Sequence, residues 1–245
     1  MASRPGNVPR HVRSVRLPHV TPPGWLALVG GSPWQEGCTF DADLLAASGG
    51  SEVLVLPTAA AFEHPDRLVA RAAEWFAPVG GAVVSCPILN RRDAEDPALV
   101  AMIRRARFIY IAGDSPMHLL GVLKDTQAWV AVEAAWRSGA VLAAASDAAM
   151  VLGDPMVDPR GGAFTIGLGL ISDLAVLPHA DTWPPARTKR TLKIAGKRVT
   201  VALIDERTAL LRNPSGSWSS AGVGSVVLHE NGADVEIRHL DARPV

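Results

Sequence analysis

The feature that most constrains this chain is a rhythm of short, uniformly apolar runs separated by longer amphipathic stretches. Residues 25–29, 52–56, 82–85, 108–112 and 141–145 are mostly branched or small apolar residues without polar alternation. Such runs suit strands of a parallel sheet covered on both faces. Between them, residues 65–77 set Leu68, Ala72, Trp75 and Phe76 near one helical face. Residues 97–106 do the same with Leu99, Met102 and Ile103, and residues 127–137 run into Ser138-Gly139, where the glycine can cap a helix. The β-α-β-α order predicts an α/β fold: an open, doubly wound, mostly parallel sheet with right-handed crossovers.

Beyond about residue 190 the rhythm changes. Residues 191–194 and 198–204 flank the turn-like Ala195-Gly196-Lys197. Residues 224–229 and 235–239 flank Glu230-Asn231-Gly232-Ala233, whose Asn-Gly pair is a strong hairpin signal. These segments predict C-terminal β-hairpin additions to the main sheet, within one domain spanning residues 23–245. At 245 residues the chain is long enough for one sizeable core. Lys+Arg and Asp+Glu each number 24, so no net field draws nucleic acid or an anionic membrane. No apolar run reaches the ~18 residues of a membrane span, and residues 139–153 are interrupted by Asp147. Residues 1–22 carry Arg4, Arg10, Arg13 and Arg16 among prolines, without the apolar stretch of a secretory signal. They read as a flexible tail, or as an arm packing on a partner subunit, which leaves room for a homodimer. Two cysteines, Cys38 and Cys86, cannot build a disulfide framework and suit a reducing compartment, so the expected location is cytoplasmic.

In open α/β sheets, functional groups gather at the carboxyl edge of the strands. The informative junctions are therefore Gly30-Gly31-Ser32, Gly113-Asp114-Ser115 and Ala144-Ala145-Ser146-Asp147-Ala148. A serine at the third sits on a sharp strand-to-helix turn, with small neighbours two positions away on either side. Such a serine needs a base and a group to orient that base. Apolar residues 174–177 lead to Pro178-His179-Ala180-Asp181, and residues 199–204 lead to Asp205-Glu206. Both have plainer readings, a loop histidine and a solvated turn. His179 and Asp181 supply two metal-ligand types, but no Cys/His cluster completes a site. No metal or cofactor is expected, and a dinucleotide fold lacks its G-x-G-x-x-G after the first strand. Arg187, Lys189 and Arg190 are candidates to hold a substrate carboxylate. Trp129 and Trp136, seven apart, read as packing or an interface.

Taken together, these pieces resemble the cyanophycinase and aspartyl dipeptidase family of serine peptidases, which has a class I glutamine amidotransferase-like fold. The resemblance spans about residues 24–240. It rests on Leu28-Val29-Gly30-Gly31, Ile111-Ala112-Gly113-Asp114, Ser146 with Met150-Val151-Leu152-Gly153, Gly167-Leu168-Gly169-Leu170 followed by His179, and Ile204-Asp205-Glu206-Arg207-Thr208-Ala209-Leu210. It implies Ser146 as nucleophile, His179 as general base and Glu206 as the acidic third member, with Asp205 and Asp181 as alternatives. It further implies an oxyanion site at the N–H groups around Gly113 and Asp114 plus that of Asp147, and a small aspartyl or isoaspartyl peptide as substrate. The chain departs from the family at the turn itself: Ser-Ala-Gly-Ala is usual, and Ser146-Asp147-Ala148-Ala149 stands here. Alanine at 148 fits only within an L-residue's backbone range. A carboxylate at 147 opposes a developing oxyanion unless it faces water or meets a cationic substrate group.

Overall fold

A computed structural model describes residues 21–197 and 199–241. Arg4, Arg10, Arg13 and Arg16 of the expected tail, and Arg198, lie outside the described residues. The first half alternates as the sequence predicts: β1 (Leu26–Val29), α1 (Phe40–Ser48), β2 (Glu52–Leu56), α2 (Pro65–Phe76), β3 (Ala82–Ser85), α3 (Pro97–Arg105), β4 (Phe108–Ile111), α4 (Pro116–Leu123), α5 (Gln127–Arg137), β5 (Val141–Ala145) and α6 (Asp147–Val151). Two pairs of two-residue strands follow, β6 (Gly153–Asp154) with β9 (Ile171–Ser172) and β7 (Met156–Val157) with β8 (Phe164–Thr165). The chain ends in β10 (Leu174–Leu177), α7 (Pro185–Ala195), β11 (Thr200–Ile204), β12 (Thr208–Arg212), β13 (Trp218–Gly222), β14 (Val226–Glu230) and β15 (Ala233–Val235).

The main sheet has seven strands in the order β13-β12-β1-β5-β4-β2-β3. It is parallel from β1 to β3, and antiparallel where β12 joins β1 and β13 joins β12. Strand residues alternate between two apolar clusters, as a pleated strand requires. Leu26, Leu28, Leu54, Leu56, Ile109, Ile111 and Leu142 share one with α3 and α5. Ala27, Val29, Val53, Val55, Phe108, Tyr110 and Val141 share the other with Phe40 and Leu44 of α1 and Phe76 of α2. The sheet is thus doubly wound. Helix ends carry recognisable stops: Gly139, at φ 104°, closes α5, with its N–H donating to Trp136 and that of Ala140 to Ala135. Trp129 and Trp136 are core residues, and the Trp136 indole N–H donates to the Gly24 carbonyl at 3.0 Å.

The C-terminal part corrects two expectations. Residues 191–194 are not a strand but the end of α7. Its helical period shows in the buried pair Thr191 and Ala195, four apart, which the β-branched composition of 191–194 disguises. The hairpin at Asn231-Gly232 forms, with both residues at positive φ, but its strands do not extend the main sheet. They join β10 and β11 in a separate four-stranded sheet, β10-β11-β14-β15, packed on the first apolar cluster through Leu174, Val176, Ala202 and Leu228. Beyond Val235 the chain turns into a short 3-10 helix, Ile237–Leu240, that buries Leu240.

One buried polar group stands out. Asp41 of α1 is 1% exposed, with the Trp75 indole N–H donating to it at 2.9 Å. Burial pushes its carboxyl up to about 7, against the downward pull of the Trp75 bond. A carboxyl whose folded value lies above its unfolded one (~3.9) favours the fold while protonated. Its contribution is intact below pH ~4 and is lost as pH rises toward about 7. Asp41→Asn should therefore stabilise the protein more at pH 8 than at pH 5, by at most about 3 kcal/mol, the two units between pH 5 and about 7. Denaturant unfolding of both proteins at the two pH values checks this.

Candidate active site

Three turns of the main sheet's carboxyl edge meet over β1, β4 and β5, and each is built for close approach. Ser146 leaves β5 at φ 58°, ψ −139°, a region L-residues avoid and one that costs about 1–3 kcal/mol. Packing holds it there. Its N–H donates to Val29 at 3.0 Å, its carbonyl accepts from Ala149 at 3.0 Å, and Ala144 and Ala148 beside it are fully buried. The residue is 4% exposed, yet it lines a cavity of about 580 Å³. Ala148 lies inside α6 with helical backbone, so the position needs no glycine. The segment Gly167-Leu168-Gly169-Leu170 braces α6 from behind, with the Leu168 and Leu170 N–H groups donating to Val151 and Leu152.

His179 and Glu206 come from the second sheet. β10 and β11 run parallel with Leu177 opposite Leu203, so both chains leave the sheet at the same end. His179 Nδ1–H then donates to Glu206 Oε1 at 3.0 Å. The pair is seated against the Gly30-Gly31 turn. The His179 N–H donates to Gly30 at 2.6 Å, and the Arg207 N–H donates to Gly31 at 2.9 Å. A Cβ on Gly31 would overlap the His179 ring, and that is the physical demand for glycine there. With Nδ1 engaged, Nε2 is the ring nitrogen left to serve a substrate or Ser146.

Sequence reasoning missed one member. Ser32 marked a junction but carried no role, and its hydroxyl donates to Glu206 Oε2 at 2.8 Å. The Glu206 carboxyl is held below its ordinary range, first by the His179 bond and then by the Ser32 hydroxyl. Asp181 and Asp205 are placed elsewhere. Asp181 accepts from the Glu206 N–H at 3.1 Å, and Asp205 accepts from Ser225. Neither carboxylate meets the His179 ring, whereas that of Glu206 does.

Gly113 and Asp114 line the same cavity, Gly113 at φ 127° where a Cβ would strike the Ala59–Ala60 backbone. The N–H groups of Ala112 and Ser115, on either side, are tied to Leu56 and Ala59. Asp147 opens α6, so its N–H is one of the donors a helix start leaves unmet. Burial pushes the half-buried Asp147 carboxyl up to about 6; His179 and Arg187 pull it down, and Asp114 and Glu63 push it up. Arg187 and Arg190 do not line the cavity. Arg187 stacks over the Trp183 ring at 3.9 Å, and Arg190 is exposed on α7. The arginines on the cavity wall are Arg67 and Arg71 of α2. Among the described residues no cluster of three or more His, Cys, Asp or Glu forms a metal site, and no helix is long and apolar enough to cross a membrane.

The model of Peptidase family S51 matches residues 26–216. Among solved structures, a peptidase from an acI-B1 Actinobacterium is similar at a TM-score of 0.79 and 27% identity, over 88% of this chain and 94% of that one. A candidate peptidase E protein from Listeria monocytogenes EGD-e shares the fold at a TM-score of 0.60 and 16% identity, over 85% and 98%. None of the curated proteins matches.

The two bonds to Glu206 yield a ranked expectation. In Ser32→Ala the Glu206 carboxyl should titrate at higher pH than in the parent, and in His179→Ala higher still, because the His179 bond is the larger cause. Carbon-13 NMR of the glutamate carboxyls reads both. An unchanged Glu206 titration in Ser32→Ala would show that the 2.8 Å contact is not kept in solution.

Proposed function

The chain belongs to peptidase family S51, and we propose that it is a serine peptidase in which Ser146, His179 and Glu206 act together on a small peptide. The observation that carries this reading is the strained Ser146 turn opening into the same cavity as the His179–Glu206 pair. His179 Nε2 takes the Ser146 hydroxyl proton as Oγ bonds to the scissile carbonyl carbon. Negative charge moves to the carbonyl oxygen, and the N–H groups of Gly113, Asp114 and Asp147 receive it in this reading. The imidazolium, balanced by Glu206, returns its proton to the leaving amine, and the C–N bond breaks. Water then attacks the acyl-enzyme by the same route in reverse, giving the free acid and restoring Ser146. Ser32 keeps the Glu206 carboxylate turned to the imidazole. An aspartyl or isoaspartyl substrate and a cytoplasmic setting complete the reading; the free, buried Cys38 and Cys86 suit that setting.

One observation favours a second reading, a binding module that no longer turns over. The Asp147 carboxyl, half-buried with Asp114 and Glu63 close by, adds negative charge where an oxyanion would form. The electrostatics give it a pH signature, because this carboxyl is neutral below about pH 6 and charged above.

Ser146→Ala should abolish both hydrolysis and fluorophosphonate labelling. It should leave thermal stability nearly unchanged, as alanine keeps the Cβ and with it the strain of the turn, and only a hydroxyl is lost. A probe that labels the parent at another residue instead would remove Ser146 as nucleophile.

Asp147→Asn should speed hydrolysis of an aspartyl dipeptide about tenfold at pH 8, equivalent to ~1.4 kcal/mol of barrier. The gain should shrink below pH 6, where the parent's own carboxyl is protonated. A gain equal at both pH values would mean that charge is not how Asp147 acts. A parent that Ser146-directed probes never label would favour the binding module.

A further inference from the structure

We propose that Arg67 and Arg71 form the subsite that holds a carboxylate of the substrate, resting on the reading of the Ser146 cavity as a peptide site. Both lie on α2, four residues apart and so on one helical face, and both line the cavity with Ser146. Like charges at that spacing oppose each other and weaken a helix. Here no carboxylate relieves them: among the described residues neither guanidinium has an Asp or Glu oxygen within 4.0 Å. Glu63, four residues before Arg67, instead accepts from the Ser115 hydroxyl at 3.4 Å, and Glu206 is committed to His179 and Ser32.

Two further features favour an anion at this wall. The N-terminus of the twelve-residue α2 opens at the cavity with His64 as its N-cap, and no side chain caps it, although Asp66 in the first turn offsets part of its positive end. The Arg71 guanidinium lies over the Trp34 ring at 5.9 Å. Trp34 is itself packed on Tyr110 and 4% exposed, which gives the cation a fixed platform. The cavity also holds Glu63, Asp114 and Glu206, but none of them pairs with Arg67 or Arg71, so the two guanidiniums are left to match a planar carboxylate, which arginine holds through paired hydrogen bonds. Arg187 and Arg190, the arginines the sequence offered for this task, do not line the cavity.

The carboxylate can come from an acidic side chain or from the peptide's C-terminus, and binding to the inert Ser146→Ala protein separates the two. Calorimetric titration would use aspartyl-alanine, asparaginyl-alanine, aspartyl-alanine amide and succinate. Adding Arg67→Gln and Arg71→Gln together should weaken aspartyl-alanine at least tenfold, or about 1.4 kcal/mol. The probe lacking the recognised carboxylate should already bind weakly and lose nothing more. If asparaginyl-alanine is that probe, the side chain is held; if the amide is, the C-terminus is held. Arg71→Lys, which keeps the charge but not the paired geometry, should fall between. Undiminished aspartyl-alanine binding in the double variant would overturn the proposal. So would an equal loss for charged and neutral probes, or no binding of succinate or either carboxylate peptide to the parent. If carboxylate binding depends on the arginines while Ser146 never reacts with fluorophosphonate, the peptidase reading fails and this subsite stands.

Discussion

Everything that converges in the cavity depends on one piece of backbone, the Gly30-Gly31 turn at the end of β1. The carbonyl of Gly30 accepts from His179 and that of Gly31 from Arg207, while the Gly30 N–H donates to Thr208 at 2.9 Å. These bonds join the second sheet's loops to the edge of the first. Side chains at these positions are excluded by contact: at Gly30 a Cβ would enter the Ile204–Asp205 backbone, and at Gly31 the imidazole. The two glycines therefore act as a shared wall, thin enough for the His179–Glu206 pair to line the same cavity as Ser146. Three strained non-glycine residues, Ser32, His179 and Arg207, cluster about this wall with φ of 45°, 54° and 54°. Their strain is borne by the bonds that cross it.

The serine turn itself shows how local strain is separated from helix chemistry. Ser146 alone carries the forbidden backbone angles, and Asp147 and Ala148 are already helical. That division explains why alanine replaces the family's usual glycine without cost to the turn. It leaves the Asp147 carboxyl as the one departure with electrostatic weight, since desolvation rather than a partner dominates its shift. By the same linkage as at Asp41, this carboxyl also costs the fold stability as pH rises from ~4 to about 6.

Much of this was legible in the sequence, for definite reasons. The main sheet was readable because its strands are buried on both faces and so lack polar residues that would blur them, as at residues 141–145. The serine turn was readable because close packing demands small neighbours. The second sheet was not, since hairpin signals specify which strands pair locally but not which sheet receives them. Thr191 and Ile194 misled through their β propensity, which the buried face of α7 overrides. Ser32 was invisible as a partner because a hydroxyl has no sequence signature. Its acceptor lies 174 residues away. Arg67 and Arg71 were hidden by belonging to an ordinary amphipathic helix; only the cavity distinguishes them from Arg104 and Arg105 of α3.

That 174-residue span has a bearing on how the chain is made. β1 is synthesised well before β5 and β12, yet it lies between them, and the Gly31 carbonyl just beyond it waits for Arg207. A nascent chain can assemble the parallel half of the sheet, with Ser146 in place, while the segment bearing Glu206 is still being synthesised. Through that interval Ser146 stands without the His179–Glu206 pair. The cavity that Ser146 lines is thus closed late, once the segment bearing Glu206 and Arg207 has been added and can dock on the Gly30-Gly31 turn.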